Sequence, residues 1–257
     1  MEKTLPEINV LWTGGWDSTF RVLFLSRQEI TLQPHYIYYE NRRSRDFEIK
    51  AMEEVSKDIL ADPKTKCVFK PVKIVQFKDI PEDKEITEAF NRIRQQILIG
   101  PQYEYLARYA KGLGSLEIGV EQGGLAEAMM NKFGEMVQTT DENGLEYWEL
   151  NKEKSTDDLN KTFGLFKYPL YKMTKLEMKE KAIEMGFLDT MYKTWFCHFP
   201  HKGKACGSCF PCKFTIQDGL PERFTKAALR RFKTDQKHGE KEWYKKYKKY
   251  RRRYFNY

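Results

Sequence analysis

Apolar and polar positions along the chain fall into two alternating rhythms. Ile8-Asn-Val-Leu-Trp12 is a short apolar run, and the stretch after it has the apolar content of a helix packed on a sheet, placed at 17–28. His35-Tyr-Ile-Tyr-Tyr39 predicts a second strand, followed by a helix over 46–60 in which Phe47, Met52, Val55 and Ile59 recur at near-helical spacing. A third apolar run, 67–77, precedes a long helical stretch over 85–111, interrupted near Gly100-Pro101 because proline cannot continue a helix ladder. Leu116-Glu-Ile-Gly-Val120 reads as a fourth strand. From 121 to 165 the rhythm fades among Gly123-Gly124, Asn143-Gly144 and a charged segment at 151–160, which predicts an irregular insertion suited to a lid. Order returns at Thr174-Lys-Leu-Glu177, whose capping-box spacing opens a helix over 174–185 that stops at Gly186.

Strands alternating with helices predict an α/β fold, a doubly wound and mainly parallel sheet with helices on both faces. In such sheets the ligand sits beyond the carboxyl ends of the strands. At 257 residues the chain is long enough for one large domain with a smaller appendage. The expected division is an α/β domain over 1–190, a cysteine-bearing knuckle over 191–222 and a basic aromatic helical tail over 223–257.

Composition changes this picture in three places. No apolar run approaches the roughly 18 residues that span a membrane, and Met1–Pro6 carries no signal-peptide pattern, so the expected location is cytoplasmic. There, five cysteines are metal ligands or core residues sooner than disulfides. The net charge of +8 is concentrated: Thr225–Tyr257 holds 13 Lys/Arg against three Asp/Glu, which leaves 32 of the 45 basic and 34 of the 37 acidic residues elsewhere. The main body is close to neutral. In the tail, Trp243, Tyr244, Tyr247, Tyr250, Tyr254 and Tyr257 recur at three- and four-residue steps among lysines and arginines. On a helix they form an aromatic stripe that docks on the domain or on a second copy in a homodimer, or that contacts nucleic acid or an acidic protein.

Two motifs carry chemistry. The first strand empties into Thr13-Gly14-Gly15-Trp16-Asp17-Ser18 and a helix follows. Paired glycines bring successive amides close to an anion, and the helix aims its positive end at the same place, so this is a phosphate cradle. No lysine follows the glycines, which separates it from the Gly-x-x-x-x-Gly-Lys-Ser/Thr loop. The second motif is Cys197, Cys206, Cys209 and Cys212, spaced C-x8-C-x2-C-x2-C. Four thiolates at these spacings can converge on one tetrahedral Zn²⁺ and leave no open position, so the ion is structural. His198 and His201 flank the cluster as weaker alternative ligands, and Cys67 stands apart from it.

The first motif resembles the Ser-Gly-Gly-x-Asp-Ser loop of the N-type ATP pyrophosphatases, with Thr13 in place of the first serine. Together with the cysteine spacing it resembles the 7-cyano-7-deazaguanine synthase family. Pro169-Leu-x-x-x-Thr174-Lys175, Thr194-Trp195-Phe196-Cys197, Cys206-Gly207-x-Cys209-x-x-Cys212 and Asp218-Gly-Leu-Pro221 resemble family segments in the same order. The middle departs from the family. After the second strand only Tyr39 and Arg42 keep its pattern within Tyr39-Glu40-Asn41-Arg42-Arg43, and its acidic, proline- and cysteine-containing segment is replaced by Glu121-Gln-Gly-Gly-Leu125.

The resemblance implies an adenine nucleotide alpha hydrolase-like fold and an ATP-dependent ligase. Such an enzyme adenylates a small-molecule carboxylate, releases pyrophosphate, and lets ammonia displace AMP to give an amide, which a second adenylation dehydrates to the nitrile. It implies ATP bound along Leu11, Trp12, Thr13, Gly14, Gly15, Trp16, Asp17, Ser18 and Thr19, with Asp17, Ser18 and Lys175 catalytic. Pyrophosphate is expected on the amides of Gly14, Gly15 and Asp17 and the hydroxyls of Thr13, Ser18 and Thr19. Asp17 is expected to help hold Mg²⁺, Lys175 to face phosphate, and Tyr39 with Arg42 or Arg43 to meet the substrate carboxylate. The rival expectations are a related enzyme that modifies a tRNA base and holds the RNA with its tail, and a family member diverted to a macromolecular acceptor in defence or phage conflict.

Overall fold

A computed structural model describes residues 5–239 together with Lys241 and Lys245. The chain folds around a six-stranded sheet in which every strand pair is parallel. Strand β1 (Glu7–Leu11) lies at its centre, between β2 (Thr31–Tyr38) and β5 (Leu116–Glu117). Beyond β2 come β3 (Val68–Phe69) and β4 (Lys73–Gln76), and β8 (Phe166–Lys167) borders β5. The apolar run over 67–77 is thus two short strands, both on β2, separated by a segment that contains Pro71, a residue without an amide to donate. The fourth predicted strand is likewise shorter than its apolar run, pairing only at Leu116 and Glu117.

Helices cover both faces, as the continuous apolar runs require. On one face α1 (Trp16–Leu25), α2 (Arg45–Ala61), α7 (Lys175–Glu184) and the short α8 (Leu188–Met191) enclose a core holding Val10, Trp12, Phe20, Leu32, Val55 and Met178. On the other, α3 (Lys84–Gln96), α4 (Gln102–Leu113), α5 (Leu125–Phe133) and α6 (Asp157–Phe163) enclose Leu11, Ile37, Phe90, Ala107, Met129 and Phe163. Val10 and Leu11 are neighbours in β1 and serve opposite cores, as the pleat demands.

The insertion is more regular than its sequence suggested. It contains α5, an antiparallel hairpin of β6 (Met136–Thr140) and β7 (Glu146–Leu150), and α6. The hairpin turns through Asp141–Gly144, where Gly144 has φ +78° and the Asp141 carboxylate accepts from the amides of Asn143 and Leu145. Asp-x-Asn-Gly is turn chemistry, and the strands on either side are too short for a clear two-residue rhythm. Past α8 lie the cysteines, α9 (Phe210–Gln217) and α10 (Lys226–His238), which buries Ala228, Phe232 and Asp235. The aromatic stripe from Trp243 to Tyr257 lies outside the described residues. Among those described, no helix is long and apolar enough to cross a membrane.

Candidate active site

The glycine loop of residues 13–18 is built from behind. Trp12 is fully buried and its indole N–H donates to the Thr19 hydroxyl at 2.8 Å. That bond anchors the first turn of α1 to the end of β1, and Thr19, fully buried, accepts it with its hydroxyl. Thr13 and Ser18 do face each other across the loop, their hydroxyls 3.2 Å apart, and the Thr13 amide donates to Ser18 Oγ at 3.2 Å. Gly14 has φ +69°, and a Cβ there would lie 2.8 Å from the carbonyl oxygen of Glu48 in α2. Both features require glycine. Gly15 is the N-cap of α1 and brings no side-chain oxygen, so the first-turn amides stay open toward the carboxyl end of the sheet.

Asp17 occupies that first turn beside a second carboxylate-rich segment. Gly119, just past β5, approaches so closely that a Cβ would stand 3.2 Å from the Ser18 nitrogen. Its neighbour Glu121 accepts from Lys175 Nζ at 2.7 Å. The same ammonium lies 3.1 Å from Asp218 Oδ2 and 3.7 Å from Asp17 Oδ1. Lys175 is placed by the capping box of α7, in which Thr174 and Glu177 exchange hydrogen bonds. Lys175, expected to face phosphate, is thus held by three carboxylates. Burial alone would lower its pKa, but Asp17 and Glu121 outweigh that and raise it. The Asp17 carboxyl is raised as well: burial first, then Glu121, push it up to about 7 against the pull of Lys175. Its Oδ1 is buried and makes no hydrogen bond. One ammonium among three carboxylates leaves a local charge deficit that a further cation would neutralise.

Behind this cluster, Arg21 and Glu117 form a buried bidentate pair, Nε–Oε2 at 2.7 Å and Nη2–Oε1 at 2.8 Å. Arg21 stands one turn after Asp17, so the pair locks α1 onto β5 at the register where Glu117 lies opposite Val10. Sequence reasoning missed Arg21, Glu117 and the partners of Lys175, because residues about a hundred positions apart leave no local pattern.

The three predicted substrate residues share one cavity. Tyr39, Arg42 and Arg43 line a hollow of about 560 Å³ together with Tyr105, His198 and Phe199. Arg42 is not a free fork, however. Its Nε donates to Glu48 Oε1 at 2.9 Å, and the same buried carboxylate accepts from Ser44 at 2.7 Å and Tyr36 at 2.8 Å. Burial of a carboxylate requires such partners, and Arg42 supplies the charge. Arg43 is the exposed one, its guanidinium 5.4 Å from the Phe199 ring centre. Glu48 links this cavity's wall to the glycine loop: its carboxylate holds Arg42 and Ser44, and its carbonyl abuts Gly14.

Cys197, Cys206, Cys209 and Cys212 are all buried, and their sulfurs lie within 4.8 Å of one another. Two of the separations, 3.8 Å for Cys206–Cys212 and 3.9 Å for Cys197–Cys209, match the edge of about 3.8 Å expected when four sulfurs surround Zn²⁺ at about 2.3 Å. The amides of Ser208 and Cys209 point at Cys206 Sγ (3.3 and 3.2 Å), and that of Cys206 at Cys197 Sγ (3.2 Å). Such N–H groups stabilise thiolate charge. Gly207, with φ +75°, lets this turn press against the Ala228 carbonyl of α10. The donor set fits zinc without a histidine, and His198 lines the neighbouring cavity instead.

A sequence model of one family, described as "Queuosine biosynthesis protein QueC", matches residues 7–220. No curated protein matches the chain. The matched span runs from β1 through the phosphate loop and all four cysteines. The chain therefore belongs to the family of the queuosine biosynthesis protein QueC, ATP-dependent enzymes of the ligase type.

Proposed function

We propose that this protein adenylates a small-molecule carboxylate with ATP, releases pyrophosphate, and uses ammonia to convert the acyl adenylate into an amide and, after a second activation, a nitrile. This is the activity of a 7-cyano-7-deazaguanine synthase. The observation that carries the reading is the loop from Thr13 to Ser18, whose glycine conformation and open helix amides form an anion cradle beside the Asp17–Lys175 pair. Chemistry of this kind depends on positioning and on neutralising charge that develops on phosphate oxygens.

Each group then has a part. The amides of Gly14, Gly15 and Asp17 and the paired hydroxyls of Thr13 and Ser18 hold the departing pyrophosphate. Lys175 turns from its carboxylates to the phosphates when they arrive. Asp17, with Glu121 and Asp218 beside it, would hold Mg²⁺, which would neutralise phosphate charge. The acceptor occupies the cavity of Tyr39 and Arg43, where Arg43 is the guanidinium open to a carboxylate and Arg42 shapes the wall through Glu48. Zinc on the four cysteines is structural. The rival reading is a macromolecular acceptor, and the cavity of about 560 Å³ that holds Tyr39, Arg42 and Arg43 favours a small one.

The direct test mixes purified protein with ATP, ammonium and 7-carboxy-7-deazaguanine. Release of AMP and pyrophosphate, absent in Asp17→Ala, is the expected result. ADP and phosphate as products contradict it.

A further inference from the structure

Arg223 lies beyond residue 220, where the family match ends, and no role above uses it. It closes the short 3-10 turn Pro221–Arg223, and its guanidinium is held from several sides. Nη2 donates to the carbonyl oxygen of Thr194 at 2.7 Å and to the Thr194 hydroxyl at 2.6 Å. The guanidinium carbon lies 4.9 Å from the Trp16 ring centre and 4.5 Å from that of Phe196. Nη1 remains: it is buried and has no hydrogen-bond partner. Among the described residues Arg223 pairs with no carboxylate.

The buried guanidinium has given up its hydration, and its Nη1 receives no hydrogen bond in exchange, while the nearby charges of Asp17 and Glu222 offset only part of the cost of burial. Burial lowers its pKa to about 10, which leaves it a cation at neutral pH. Such a group is suited to an anion that arrives from outside, and its surroundings say which one. Trp16 opens α1 and directly precedes Asp17, and its own indole N–H is buried without an acceptor. Thr194 adjoins Trp195, whose amide donates to the Gly14 carbonyl at 2.8 Å. Both unused donors are therefore carried by residues directly tied to the glycine loop: Trp16 follows Gly15, and Arg223 is bonded to Thr194, which precedes Trp195.

We propose that Arg223 is a second cation of the phosphate site, binding an anionic phosphate oxygen of the nucleotide through Nη1, with the Trp16 indole N–H alongside. Thr194 and the two rings hold the fork in its binding orientation. The assignment rests on the reading of Thr13–Ser18 as a phosphate cradle. It also explains the choice of arginine: a lysine has a point charge and cannot stack between two rings while bonding Thr194 and a phosphate at once.

The probe is inorganic pyrophosphate, titrated calorimetrically into the zinc-loaded full chain, with ATP-dependent pyrophosphate release measured separately. Wild type is expected to bind it. Arg223→Gln should bind about tenfold more weakly or worse, at unchanged zinc content and thermal midpoint. Thr194→Val, which removes one bond to the fork and keeps the charge, should show a smaller loss. If Arg223→Gln does not fold, Arg223→Lys and Thr194→Val decide the matter, and unchanged affinity in both overturns the assignment. Equal affinity in wild type and Arg223→Gln overturns it, as does a wild type that binds no pyrophosphate. Pyrophosphate bound through Arg223 but never released from ATP would defeat the catalytic reading and leave the assignment standing.

Discussion

The main-chain N–H of Trp195 donates to the carbonyl oxygen of Gly14 at 2.8 Å, tying the phosphate loop to a segment that begins two residues before the first cysteine. Trp195 also stacks on Phe47 of α2, ring centres 4.5 Å apart, and its indole donates to the Cys197 carbonyl at 2.9 Å. The cysteine cluster and the nucleotide loop are therefore one mechanical unit, although the cluster is far from the loop in sequence.

Metal removal should act on the loop for that reason. Freshly purified protein is expected to contain about one zinc per chain by elemental analysis. Chelation should lower both the thermal midpoint and the affinity for ATP, and zinc should restore both. Unaltered ATP affinity after complete chelation would separate the two sites.

Gly14→Ala should be costly on two counts. It places a Cβ 2.8 Å from a backbone oxygen, and it puts a non-glycine residue at φ +69°. A loss of about 1–3 kcal/mol in unfolding free energy is expected. Gly144→Ala is the control, because it shares the positive φ and meets no atom within 4 Å, so its loss should be smaller. Denaturant titration of both variants measures the difference.

Breaking the Arg21–Glu117 pair should be worse than removing it. Arg21→Met leaves a buried carboxylate without its partner, at a cost of about 3–5 kcal/mol, whereas Arg21→Met with Glu117→Leu should recover much of that loss. A double-mutant cycle reads the coupling. Additive losses in the double variant would remove the pair from the account of how α1 is locked to β5.

The Asp17 carboxyl should leave a signature in stability against pH. Its pKa rises from 3.8 to about 7 on folding, chiefly through burial. Between those values the folded state binds the additional proton, so this group's contribution to stability falls as pH rises. Asp17→Asn removes the titration. The stability of Asp17→Asn minus that of wild type should therefore increase between pH 5 and pH 7 and level off above it. The interval sets an upper bound of about 4 kcal/mol on the whole change. A difference that stays flat across that range would contradict the burial of Asp17.

Local physics made much of this protein legible. Gly14-Gly15 before Asp17-Ser18 announces a turn that only glycine can make ahead of a helix, and Thr174 with Glu177 announces a cap. The cysteines announce a metal cluster, because four thiols at short spacings can converge on one tetrahedral ion. Alternating apolar runs announced the parallel sheet. In each case the interaction spans few residues, or the pattern repeats, so the chain itself displays it.

Tertiary structure decided whatever depends on which distant residues meet. The bond from Trp12 to Thr19 leaves no trace in the sequence, and Arg42 reads as an open fork until Glu48 is found in its grip. Glu121 and Asp218 become partners of Lys175 only when the ends of β5 and α9 converge on the start of α7. A side chain's identity limits the bonds it can make, and burial decides which of them it must make. The sequence by itself determined the glycine turn ahead of α1, the cysteine cluster and the parallel α/β frame, whereas the ownership of each buried charge was set by the fold.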